Sequence, residues 1–156
     1  MAKVTVYTDG GASGNPGPGG YGAVMLSGKH YKELSVAFRL TTNNRMELLA
    51  VIQSLEALKA PGTEVTIYSD SKYVVDSVKK KWVFGWVKKN FKGKKNPDLW
   101  KRFLKIYEIH KVEFVWVKGH AGNEYNEVAD KLAVSAYADG ILPLEVDVAY
   151  EASEKD

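Results

Sequence analysis

Apolar and polar residues alternate with a period of two over residues 3 to 9, KVTVYTD, and the alternation stops at Gly10 and Gly11. That pattern predicts a strand whose two faces meet different surroundings. The run GGASGNPGPGG follows, then two further strand-like stretches around 21 to 27 and 31 to 39, with a turn at Ser27, Gly28 and Lys29. A connection this short predicts an antiparallel meander. From Asn43 or Asn44 to Leu58 the spacing of Met46, Leu49, Ala50, Leu55 and Leu58 becomes helical, and Pro61 and Gly62 close the segment. The strand VTIYS comes next, so strand, helix and strand make a crossover with parallel pairing. Beyond Asp70 the pattern predicts a helix to about Lys81 and another from about Pro97 to His110, the proline sitting in the first turn, where a helix tolerates it. VEFVWV at 112 to 117 is a further strand and NEYNEVADKLAVSAYA a final helix. The sum is an α/β fold, a mixed sheet of five strands with helices packed on it. The tail LPLEVDVAYE alternates apolar and acidic residues and suits either a docked edge strand or a loose segment.

Composition adds one domain and excludes several classes. The 156 residues are 45% hydrophobic and 26% charged, the make-up of a globular protein rather than a disordered or membrane one. No apolar run reaches spanning length. The first strand begins at Lys3, which leaves no space for a signal peptide, and cysteine is absent, so a reducing cytoplasm is the expected location. Charge alters the picture more. The net +3 conceals a segment, 79 to 105, that carries eleven basic residues and one acid, and a tail, 141 to 156, with five acids and one lysine. We therefore expect a domain over 1–140 that includes a basic segment built to meet a polyanion, followed by an acidic tail over 141–156.

Two hexapeptides echo each other: VTVYTD at 4 to 9 and VTIYSD at 65 to 70. Within each, the aspartate shares parity with the tyrosine and the first threonine, so Asp9 and Asp70 occupy equivalent places on their strands. Parallel neighbouring strands lie about 4.8 Å apart, and their carboxyl ends point to the rim where open α/β sheets bind ligands. One aspartate after a strand is ordinary turn chemistry. Two in matched register repel by roughly 3 kcal/mol at about 5 Å and an effective dielectric near 20, so a cation is expected between them. Glu47, next to the core-facing Met46, can look toward the same sheet end, although a first-turn glutamate is also favoured by the helix dipole. Asp130 sits among Ala129, Leu132 and Ala133, where an uncompensated carboxylate is costly. Four carboxylates without histidine or cysteine suit Mg²⁺ or Mn²⁺ rather than zinc, and a pair of such ions could clamp the attacking and leaving oxygens of a phosphoryl displacement.

Four blocks in order, YTDGGASGNPGPGGYG, TTNNRMEL, YSDSKYV and GHAGNEYNEVADKLA, make the chain resemble the bacterial type of ribonuclease HI from about residue 3 to 140. The resemblance implies a sheet of order 3-2-1-4-5 with its first three strands antiparallel and helices on both faces. It also implies a monomeric enzyme that hydrolyses the RNA strand of an RNA/DNA hybrid and leaves 5′-phosphate and 3′-hydroxyl ends. By motif, Asp9 would bridge two Mg²⁺ ions, Asp130 would help hold the one that activates water, and Glu47 and Asp70 would hold the other. His120, in the glycine-flanked loop KGHAG, would be the mobile proton shuttle or product-release group, and its ordinary imidazole exchanges protons near neutral pH.

An enzyme for hybrids must sense the 2′-hydroxyl. Gly10 offers backbone at close approach, while Asn15, Asn43 and Asn44 carry donors and acceptors. Capping is an equally good reading of Asn43 or Asn44. By resemblance, Asn15 and Thr42 would help seat a DNA phosphate, and the basic segment would be the substrate-binding protrusion. Within it, Lys88, Lys89, Lys94 and Lys95 are assigned to phosphates. Trp82 and Trp86, one helical turn apart, divide between packing and sugar contact. GPGGYG, from Gly17 to Gly22, matches a dinucleotide fingerprint in form only, since strands rather than a helix follow it. Two rivals stand beside the enzyme reading: a hybrid-binding module of this fold without catalysis, and another polynucleotidyl transferase such as an integrase. The first has no need of four acids, and the second lacks the full series of motifs.

Overall fold

The computed structural model describes residues 3–119 and 123–154. The chain runs β1 (Lys3–Ala12), β2 (Gly17–Ser27), β3 (His30–Thr41), α1 (Asn43–Glu56), β4 (Glu64–Ser69), α2 (Lys72–Lys79), α3 (Trp82–Lys88), α4 (Pro97–Tyr107), β5 (Lys111–Trp116), α5 (Glu124–Ala138), β6 (Leu144–Glu145) and α6 (Val148–Glu154). The sheet order is β5-β4-β1-β2-β3-β6. The expected order of five is present, and a sixth strand of two residues is added outside β3, to which it pairs in parallel. The acidic tail therefore docks as an edge strand and ends in a short helix.

Parity assigns the two faces. Val6, Ile67 and Phe114 are partners across β1, β4 and β5, and all three are buried. This face meets Met46, Leu49 and Ile52 of α1 and Trp100 and Phe103 of α4 in the main core. The opposite face carries Tyr7 and Tyr68, stacked at 4.9 Å, with Tyr125 of α5 at 5.3 Å from Tyr7. α5 lies close against β2 on that side, since a Cβ on Gly22 would meet the Ala129 carbonyl oxygen at 2.5 Å. The glycine run is thus a bed for a helix and not a phosphate loop.

Local signals set the helix boundaries. Thr42 caps α1 by accepting from the Arg45 amide at 3.2 Å, and Asn123 caps α5 by accepting from Tyr125 and Asn126. Two helices are shorter than the pattern predicts, α1 ending at Glu56 and α4 at Tyr107. The expected helix to Lys81 stops at Lys79, because Lys81 takes a left-handed φ of 63° and opens α3 instead. Among the described residues no helix is long and apolar enough to cross a membrane.

Candidate active site

β1 and β4 pair in parallel with Thr5 opposite Thr66, Tyr7 opposite Tyr68 and Thr8 opposite Ser69. The echoing hexapeptides are therefore side by side and in register, and Asp9 and Asp70 are the next residue on each. Glu47 reaches the same rim from the other face of the sheet, because α1 packs directly on β1 at Gly10. A Cβ there would meet the Met46 carbonyl carbon at 2.4 Å and the Glu47 amide nitrogen at 2.5 Å. Ligand oxygens of Asp9, Glu47 and Asp70 all lie within 4.8 Å of one another. Asp130 stands outside that trio but lines a cavity of about 20 Å³ with Asp9 and Asp70, a space on the scale of one water. Among the described lining residues, one lysine, Lys118, faces four acids: Asp9, Asp70, Glu127 and Asp130.

The electrostatics match this crowding. Burial first, and then the charge of Asp70, push the Asp9 carboxyl up to about 7, against a hydrogen bond of 2.8 Å from the Gly10 amide. Burial, followed by the charges of Asp9 and Asp70, raises Glu47 well above the usual carboxylate range. Oε2 of Glu47 is buried and has no hydrogen-bond partner, an arrangement that is costly unless a cation completes it. A hard divalent ion fits this oxygen-only donor set.

The other expected residues divide. Gly10 serves packing, as its contacts with α1 require. Asn43 Oδ1 accepts from the Ala12 backbone amide at 2.5 Å, and the Asn43 backbone N–H donates to Asn15 Oδ1 at 3.1 Å. The side-chain oxygens of Asn15 and Asn43 are thereby used internally, which leaves their side-chain N–H groups for a ligand. Asn44 is exposed at the start of α1. In the basic segment, Trp82 is 48% exposed whereas Trp100 is fully buried and Trp86 packs against it edge-on at 5.8 Å. Lys94 Nζ lies 5.2 Å over the Trp86 ring and Lys80 Nζ 5.2 Å over Trp82. Lys89 and Lys94 line a groove with both tryptophans, and Lys94 and Lys95 a second one; Lys88 lines neither. His120 lies outside the described residues.

Sequence reasoning missed Trp116. Its indole N–H donates to the Asp70 carbonyl at 3.2 Å, and Lys72 Nζ sits 4.9 Å over its ring. The signal was its register opposite Ser69, beside Asp70.

An acidic pocket at the carboxyl rim of a mixed sheet, with an aromatic and basic groove on the same molecule, defines an α/β protein whose one site suits cations and whose other suits a polyanion. The RNase H family profile matches residues 1–138. A ribonuclease H of Desulforamulus reducens is 54% identical over 151 residues, 94% of each chain. A ribonuclease HI of Synechocystis is 51% identical over 141 residues, 86% of this chain and 88% of that one. Among solved structures, LC9-RNase H1, a type 1 RNase H with the type 2 active-site motif, aligns with a TM-score of 0.82 at 33% identity, over 100% of this chain and 82% of that one. LC11-RNase H1 in complex with an RNA/DNA hybrid aligns with a TM-score of 0.64 at 29% identity, over 88% and 99%. The chain belongs to the RNase H family.

Proposed function

We propose that the protein is an endoribonuclease that hydrolyses the RNA strand of RNA/DNA hybrids and leaves 5′-phosphate and 3′-hydroxyl ends, acting as a monomer in the cytoplasm. The observation that carries this reading is the meeting of Asp9, Glu47 and Asp70 oxygens within 4.8 Å at the sheet rim. Two Mg²⁺ ions, for which Mn²⁺ can substitute, would be held there, Asp9 shared between them, Glu47 and Asp70 serving one and Asp130 the other. Bound Mg²⁺ supplies Lewis acidity toward phosphate oxygens and lowers the pKa of water. The carboxylates would fix the ions relative to the chain, and the capped ends of α1 and α5 hold Glu47 and Asp130 in place. Asn15, Thr42, Asn43 and Asn44 offer donors to sugar and phosphate groups, and His120 is assigned proton transfer or product release. The direct test incubates labelled RNA/DNA, RNA/RNA and DNA/DNA duplexes with and without Mg²⁺. Cleavage of the hybrid alone, with metal alone, is expected, and equal cutting of all three would overturn the assignment.

Two further results are expected. Mg²⁺ at about 100 times its dissociation constant adds about 2.7 kcal/mol, which raises the melting temperature of a chain of this size by about 5–10 °C. A flat titration would remove the preformed site. Replacing Lys88, Lys89, Lys94 and Lys95 with alanine weakens hybrid binding most at low salt and flattens the salt slope by up to about 0.9 for each lysine that meets a phosphate. Because Lys88 stands outside both grooves, Lys88→Ala alone should have the smallest effect, and a dominant Lys88 would place the duplex elsewhere.

A further inference from the structure

The matched family profile ends at residue 138, and the chain goes on into β6 and α6. Two ion pairs hold this extension. Asp147, just before α6, accepts from Arg45 Nε and from the Thr41 hydroxyl, both at 2.7 Å. Glu151 within α6 pairs with Arg39 at 2.7 Å. A groove of about 760 Å³ lies between α6 and the start of α1. Asn15, Thr42 and Asn44 line it, Lys95 joins them from the basic segment, and Tyr150 and Ser153 come from α6.

Two observations say what this groove takes. It continues the groove along Trp82, Trp86 and Lys94, because Asn44, Lys95 and Asn96 line both. Its chemistry is also that of a donor surface. Asn15 has spent its oxygen on the Asn43 amide, Thr42 accepts from the Arg45 amide and keeps its hydroxyl hydrogen, and Lys95 carries an ammonium. Among the described side chains, Asp98 and Asp147 are engaged by Arg45 and Glu151 by Arg39, which lowers their repulsion of a phosphate. Neutral donors with an occasional cation are how proteins position a sugar-phosphate backbone without reading its sequence.

We propose that α6 is the outer wall of the substrate groove, so that a backbone of the hybrid duplex leaves the basic segment at Lys94 and Lys95 and passes between Asn44 and Ser153. This rests on the hybrid-cleaving function above and adds to it a contact surface beyond residue 138. Ser153 is exposed in the last turn of α6, so a new charge there leaves the fold intact.

The test measures anisotropy of a fluorescein-labelled RNA/DNA hybrid in EDTA with Ser153→Lys and Ser153→Glu. Ile109→Lys and Ile109→Glu serve as controls just before β5, at the end of the sheet opposite the acidic rim, where Ile109 is 48% exposed. At low salt the Ser153 glutamate variant should bind at least about fivefold more weakly than the lysine variant, a gap that closes as salt rises, while the Ile109 pair differs by less than about twofold. Equal gaps at both positions would mean that net charge alone is at work and would overturn the wall. Wild-type binding with an unseparated Ser153 pair overturns this proposal and leaves the function standing, whereas a wild type that does not cleave the hybrid with Mg²⁺ removes both.

Discussion

Asp9→Asn is expected to lose cleavage by on the order of 10³-fold or more while the metal-free protein melts at a higher temperature than the wild type. Both effects come from the same crowding. The carboxyl of Asp9 is pushed up to about 7 by burial and by Asp70, so its ionisation in the folded state works against the fold. An acid with a raised folded pKa binds more protons folded than unfolded, and the stability it contributes is complete below its ordinary value near 4 and lost as pH rises through about 7. In EDTA, wild-type stability should therefore fall across that window, and the asparagine variant should flatten the fall. Asparagine keeps an oxygen for the Gly10 amide, which is 2.8 Å from Asp9 Oδ1, and adds N–H donors toward the neighbouring carboxylates. Thermal melts from pH 4 to 8 and a single-turnover hybrid assay measure the two halves. A variant that is less stable and still active would contradict the site.

The second large effect concerns Arg45, whose side chain is 4% exposed. Its guanidinium donates to Asp98 at 2.7 and 2.9 Å, to Asp147 at 2.7 and 2.9 Å and to Asn96 at 3.2 Å. One cation thus joins α1, the start of α4 and the tail. Arg45→Met leaves Asp147 buried without its cation and should cost about 3–5 kcal/mol, a fall of about 10 °C in melting temperature. Arg45→Met combined with Asp147→Leu should recover part of the loss, because both charges are then gone. Urea unfolding of the two single variants and the double closes the cycle; a loss below about 1 kcal/mol for Arg45→Met would show the network to be ornamental. Acid should act on the same network. Burial raises the Asp98 carboxyl, but the hydrogen bonds and charge of Arg45 outweigh it and hold the group below its ordinary value. Its contribution is complete above that ordinary value and disappears as pH falls through the lowered one.

What could be read from the residues followed local rules. The two hexapeptides were legible because strand parity is strict, and the structure pairs them residue for residue. The helical spacing of Met46 and Leu49 was legible from its period, whereas the cap of α1, read at Asn43 or Asn44, lies at Thr42, because Asn43 turns its oxygen to the Ala12 amide instead. Other features had no local signal. Glycine carries no hydrophobic alternation, so the ends of β1 at Ala12 and the start of β2 at Gly17 were hidden in a run that looked like a loop. Aromatic spacing of i and i+4 could not tell the exposed Trp82 from a packed Trp86, since the deciding neighbour, Trp100, lies in another helix. The tail was ambiguous because Asp147 is tied down by an arginine 102 residues earlier. The trio of ligand oxygens was foreseen as a quartet; Asp130, carried on a separate helix against β2, shares the cavity but not the tightest cluster.

Gly10 has a wider meaning. The separation between Asp9 and Glu47, which descend from a strand and a helix more than thirty positions apart in the chain, is gauged by a missing methyl group. Any side chain there would act as a shim between strand and helix, prising α1 from β1 and lifting one arm of the ligand cage. The bore of the ion seat is therefore encoded by what the polypeptide leaves out.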